Sequence, residues 1–167
     1  MRVSVSHKFT CTPDALWDVF DSEEFEAEFA KATDVIREIS EERRDGAVSY
    51  RRRECTLASD LPALAKKVMG GSALAWHEEA TLDRDRNRLE WEVILPGAIG
   101  DRVKVKGSTR IRFADGVCTR SISGDISVRV PLIGGRVESL IAKSVGESYD
   151  KASAIALKIL HGQQDNT

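Results

Sequence analysis

From Arg2 to Thr10 polar and apolar residues alternate: Val3, Val5, His7 and Phe9 fall on one face, Arg2, Ser4, Ser6 and Lys8 on the other. A period of two predicts a half-buried antiparallel strand. The period then changes. Thr12-Pro13-Asp14 carries the marks of a helix start: a capping hydroxyl, a proline at the first helical position and an acid in the first turn. Ala15, Leu16, Val19 and Phe20 give this helix one apolar stripe. A second short helix starts at Asp21 or Ser22, with Phe25 and Phe29 four residues apart.

A long all-strand stretch follows. Residues 34–44, with Val35 and Ile39, run to Asp45-Gly46, a two-residue hairpin signal, and the chain returns through Val48 and Tyr50 to Cys55. Residues 73–82 and 88–95 flank the polar turn 83–87, and residues 102–114 and 117–130 flank Asp115-Gly116. With Asp115-Gly116 as the turn, Phe113 pairs with Cys118, Thr109 with Ile122, Val105 with Ile126 and Val103 with Val128. A slip of one residue would set these apolar positions against serines, Thr119 and Asp125, so the register is well determined. Arg102, Lys104, Lys106, Arg110 and Arg112 form a solvated face, and as charges on an outer strand they discourage edge pairing. After Pro131, apolar residues recur at three and four from Val137 to Leu160, which predicts a long amphipathic helix from about Gly135 to His161, stopped by Gly162. The insert 61–72 reads as a short amphipathic helix or loop between strands.

Composition narrows the function classes. The 167 residues predict a single domain over 1–162 and a loose tail at 163–167. Twenty-five Lys and Arg against 27 Asp and Glu leave a formal charge of −2, without the basic excess of a general nucleic-acid binder. No apolar run has the length of a membrane span, and the alternating N-terminus has no signal-peptide core, so a cytoplasmic protein is expected. Cys11, Cys55 and Cys118 are far apart, as are His7, His77 and His161, so no metal site is expected. Phosphate-loop, dinucleotide and nucleophile-elbow motifs are absent, and no cofactor is expected.

Strand, two short helices, six antiparallel strands and a long C-terminal helix make an α+β chain in which the last helix must cover the concave side of a curved seven-stranded sheet. This order resembles the helix-grip fold of the START-like, or SRPBCC, superfamily, shared with the birch pollen allergen and polyketide cyclases. The segment Val130-Pro131-Leu132-Ile133-Gly134-Gly135-Arg136-Val137-Glu138, together with Leu95-Pro96-Gly97-Ala98 and Leu61-Pro62, resembles a bacterial family labelled only as a domain of unknown function. The superfamily resemblance implies a lipid, sterol, polyketide or other apolar small molecule held between sheet and helix. It carries over no catalytic residues.

Alternation places some polar residues among inward positions. His7 shares a face with Val3 and Val5; Glu78 lies between Trp76 and Ala80, opposite Val93; Arg120 lies between Cys118 and Ile122, opposite Ile111. Buried charge is costly unless paired, so such groups pair, reach a cavity mouth or orient a ligand. The expected binding site therefore has Glu78, Arg120 and His7 at the ligand's polar end, with Trp76, Trp91 and Tyr50 against its body. Val93, Val105, Thr109 and Ile122 line it from the strands, and Val137, Leu140, Ile141 and Val145 from the helix. Against this stands an Arg120 that snorkels to water near the Asp115-Gly116 turn. Gly107 and Gly124 should sit opposite one another, either letting the sheet bend or making room for ligand. In residues 61–72, Leu64, Val68 and Met69 with Lys66 and Lys67 suggest either a lid that touches membranes or an ordinary connection. Alternatives to binding are a cyclase- or hydrolase-like catalyst using His7, Glu78 or Arg120, or a ligand-free interaction module with a filled core. Oligomeric state stays open.

Overall fold

The structure, a computed structural model, describes residues 1–69 and 74–166. The chain runs β1 (Arg2–Phe9), α1 (Pro13–Phe20), α2 (Glu23–Thr33), β2 (Val35–Asp45), β3 (Val48–Leu57), α3 (Ala63–Met69), β4 (Ala75–Asp83), β5 (Arg88–Ile94), α4 (Gly97–Arg102), β6 (Val103–Ala114), β7 (Val117–Val128) and α5 (Gly134–Asp165). Seven antiparallel strands form one sheet in the order β1-β7-β6-β5-β4-β3-β2. The expected α+β helix-grip architecture is the observed one. Because β6 lies third from the β1 edge, its lysines and arginines do not guard an edge, contrary to expectation; they face solvent.

Local chemistry accounts for the boundaries. Thr12 caps α1 by accepting the Ala15 N–H at 3.2 Å, and Ser22 caps α2 through the Phe25 N–H at 3.2 Å. Asp115 and Gly116 both take positive φ, as a type I′ turn requires, and β6–β7 closes in the expected register. The first hairpin turns one residue later than expected: Asp45 pairs with Val48, and Gly46-Ala47 form the loop, with positive φ at Gly46. At the far end Gly162 does not stop α5, which continues to Asp165 in place of the expected loose tail. An exposed glycine inside a helix costs only about 1 kcal/mol, which continued backbone hydrogen bonding offsets.

Two hydrophobic clusters hold the layers together. One joins Phe9, Leu16, Trp17, Phe25 and Phe29 to Ala152, Ala156, Ile159 and Leu160 at the C-terminal half of α5. The other joins Val103, Val105, Ile126 and Val128 to Val137, with Val93, Leu95, Ile99, Leu64 and Ile141 packed against it. Leu64 of α3 packs against the second cluster, and Lys66 pairs with Asp60 at 3.3 Å. The side chains of Val68 and Met69, residues Gly70, Gly71 and Ser72 of the insert, the expected strand start at 73, and the terminal Thr167 lie outside the described residues.

Candidate functional site

Between the sheet and α5, where the two clusters part, lies a narrow apolar gap that is nowhere wide enough for a water molecule. Val3, Val105, Ile122 and Ile126 line it from the strands and Val145 from the helix, with Trp91, Gly124 and Tyr149 completing the wall. Its small size has a direct cause. Gly107 and Gly124 pair across β6 and β7 as expected, but the Trp91 indole from β5 lies over both. A Cβ on Gly107 would stand 2.5 Å from the Trp91 Cζ2, and one on Gly124 2.8 Å from its Cη2. The room made by the two glycines is filled by the protein's own side chain.

Polar groups in this wall and beside it lack partners among the described residues. Arg120 is 7% exposed, so it does not snorkel. Its Nε and Nη1 have no acceptor among the described residues. Aromatic rings flank the guanidinium instead, with Cζ 4.1 Å from the Phe20 centroid and 5.5 Å from that of Tyr149. Burial lowers the Arg120 pKa to about 10, the nearby Tyr149 hydroxyl opposing the shift and the Arg37 charge adding to it, so the side chain stays charged at neutral pH. Burial likewise raises the Tyr149 pKa. Tyr149 links Arg120 to Trp91, whose ring centroid is 6.3 Å from its own and whose indole N–H is also buried without an acceptor among the described residues.

The remaining expected site residues fall into three groups. His7 sits directly opposite Arg120 on the neighbouring strand; its Nε2 meets Asp150 Oδ1 of α5 at 2.8 Å, while its Nδ1 is buried with no partner among the described residues. Glu78 faces inward opposite Val93 and takes a long hydrogen bond, 3.5 Å, from the Trp76 indole. No hydrogen bond among the described residues joins His7, Glu78 and Arg120. Val93, Val137 and Ile141 pack in the second cluster, Thr109 is fully buried opposite Ile122, and Leu140 is half-buried; none of these five lines the gap. Tyr50 is displaced altogether. It pairs with the exposed Thr81, lies on the outer face beneath the Arg43 guanidinium, and borders an open groove of about 490 Å³ with Glu79, Glu90 and Lys106.

The inward positions of β3 are instead Arg51, Arg53 and Cys55, opposite Ala80, Glu78 and Trp76. A charged inner face is tolerable because α2, the residue after α1 and β2 supply acids. Arg37 forms a two-pronged pair with Glu26 of α2 at 3.0 Å for each contact, Arg53 meets the same carboxylate at 3.5 Å, and Arg51 meets Asp21 at 2.9 Å and Glu42 at 2.8 Å. Sequence reasoning missed these arginines, and also missed Tyr149, although a step of four from Val145 leads to it.

A family model described as "Protein of unknown function (DUF2505)" matches residues 4–160. No curated protein matches the sequence. Among solved structures, Ara h 8.0201 is similar with a TM-score of 0.63 at 12% identity, covering 95% of this chain and 98% of its own. TTHA0849 from Thermus thermophilus gives 0.62 at 15% identity, covering 95% of each chain. The Zhui aromatase/cyclase from Streptomyces sp. R1128 gives 0.61 at 15% identity, covering 99% of this chain and 93% of its own. At these identities the likeness is one of fold.

Proposed function

The chain belongs to the family described as protein of unknown function DUF2505, and from its interior we propose that it binds a small apolar or amphipathic molecule, lipid-, sterol- or polyketide-like, between the sheet and α5. The observation that carries this reading is the apolar gap itself, bounded by a tryptophan resting on paired glycines. Binding sites for small molecules span about 300–1,000 Å³, whereas this gap does not admit even a water molecule, so an occupant has to open it by moving Trp91 off Gly107 and Gly124. Burial of its apolar surface supplies about 25 cal/mol per Å² toward that rearrangement. That one protein of the same fold is an aromatase/cyclase supports an occupant of this general kind.

Titration with N-phenyl-1-naphthylamine, an uncharged probe that fluoresces in apolar surroundings, tests the proposal. Saturable binding is expected, and Val145→Trp, which fills the gap from α5, should abolish it while leaving the far-UV circular dichroism intact. Absence of saturable binding to the wild-type protein, or equal binding by a folded Val145→Trp protein, would refute the reading.

A further inference from the structure

We infer that the occupant carries an anionic oxygen group of the carboxylate type, and that Arg120 receives it. This deepens, and rests on, the binding proposed above. The arginines of the interior differ in one respect. Arg37 and Arg53 share Glu26, and Arg51 has Asp21 and Glu42. Arg120 has no carboxylate partner among the described residues, and it is the most buried of the four. The rings of Phe20 and Tyr149 answer its charge but accept nothing from its N–H groups, which lie in the guanidinium plane.

The gap lined by Tyr149, the ring beside Arg120, does not admit water, so no solvent held there supplies an acceptor. Across Tyr149 the Trp91 indole presents another buried N–H in need of an acceptor. Tyr149, a wall residue, thus stands between two buried donors, Trp91 in the wall and Arg120 directly behind the ring, a pattern complementary to an apolar body ending in oxygen. The carboxylates facing the same interior are engaged elsewhere: Glu26 with Arg37 and Arg53, Glu78 with the Trp76 indole.

Displacement of N-phenyl-1-naphthylamine by decanoate and by 1-decanol, which share a ten-carbon chain, distinguishes the head groups. In the wild-type protein decanoate should displace the probe at about tenfold lower concentration than decanol, the gain of a charge-assisted hydrogen bond. Arg120→Gln should erase that preference while decanol displacement changes little. Arg120→Lys, which keeps the charge but loses the planar donor edge, should retain part of it. Should Arg120→Gln fail to fold, the Arg120→Lys protein and the wild-type comparison decide. Equal displacement by both compounds in the wild-type protein, or a decanoate preference that survives intact in either variant, would overturn the inference and leave interior binding standing. Failure of the probe itself to bind would remove the reading beneath it.

Discussion

The glycine pair under Trp91 offers a quantitative test of how the interior is filled. Neither Gly107 nor Gly124 has positive φ, so alanine is conformationally acceptable at both and would ordinarily gain roughly 0.5–1 kcal/mol in a strand. Space decides the sign. A Cβ on Gly124 would lie 2.8 Å and 3.2 Å from two indole carbons and 3.3 Å from the Lys106 carbonyl oxygen, so a tilt of the Trp91 ring relieves the worst of it. A Cβ on Gly107 would lie 2.3 Å from the Ser123 carbonyl oxygen and 2.7 Å from the Gly124 Cα, and only a shift of the β6–β7 ladder relieves that. Overpacking commonly costs about 1–3 kcal/mol. Gly124→Ala should therefore destabilise by about 1 kcal/mol and Gly107→Ala by about 3 kcal/mol. In a double-mutant cycle, Trp91→Leu should recover most of the Gly124→Ala loss and little of the Gly107→Ala loss. Urea denaturation followed by far-UV circular dichroism reads every protein of the cycle without depending on tryptophan fluorescence. A Gly107→Ala protein as stable as Gly124→Ala, or a cycle showing no coupling between Gly124 and Trp91, would refute the assigned packing.

Other features yield shorter tests. Burial raises the Cys55 and Cys118 thiols to about 12, so both should resist Ellman's reagent at about pH 8, near the ordinary thiol range, until the protein is unfolded. Because the unfolded chain releases these protons near 9.0 and the folded one holds them, stability should fall as pH rises from 9.0 toward about 12; a Cys55→Ala, Cys118→Ala protein should show a flatter decline. Glu138 is held below its ordinary 4.5 chiefly because its carboxylate accepts the Val128 N–H at 2.9 Å. Its contribution is present above 4.5 and lost as pH falls through the depressed value, so Glu138→Gln should lower the urea midpoint at about pH 7 more than at about pH 3. Thr12→Ala removes the α1 cap and should cost about 1 kcal/mol in the same assay.

What the chain reveals in advance depends on whether neighbours in sequence are also the neighbours that matter. The β6–β7 register is legible because Asp115-Gly116 fits a turn with two positive φ angles and the alternation beside it is uninterrupted. The β2–β3 hairpin misleads for a physical reason. Val48 and Tyr50 form the apolar alternation, which assigns the inward face to them, yet the face that turns inward carries Arg51 and Arg53. Their charge is answered by Asp21, just after α1, and Glu26 of α2, both earlier in the chain, and no local pattern announces such a partner. The same limit applies to the glycine pair: spacing places Gly107 against Gly124, but the ring that covers them comes from β5. Alternation also puts Arg120 on the inner face, where it lies, whereas its ring neighbours, Phe20 and Tyr149, come from helices that a pattern within one strand does not reach.

The division of the apolar residues into two clusters has a mechanical consequence. Helix α5 serves both as a shared beam, anchored at one end by the aromatic side chains of α1 and α2 and at the other by β6, β7 and the segment near α4. Between the anchorages lie Val145, Gly146 and Tyr149, and a side chain on Gly146 would touch nothing. Mid-span belongs to neither cluster, so hydrogen exchange is expected to be faster from Gly134 to Val145 than in the C-terminal portion. Entry to the interior would then draw on a fraction of the total unfolding free energy, set by the smaller of the two cores.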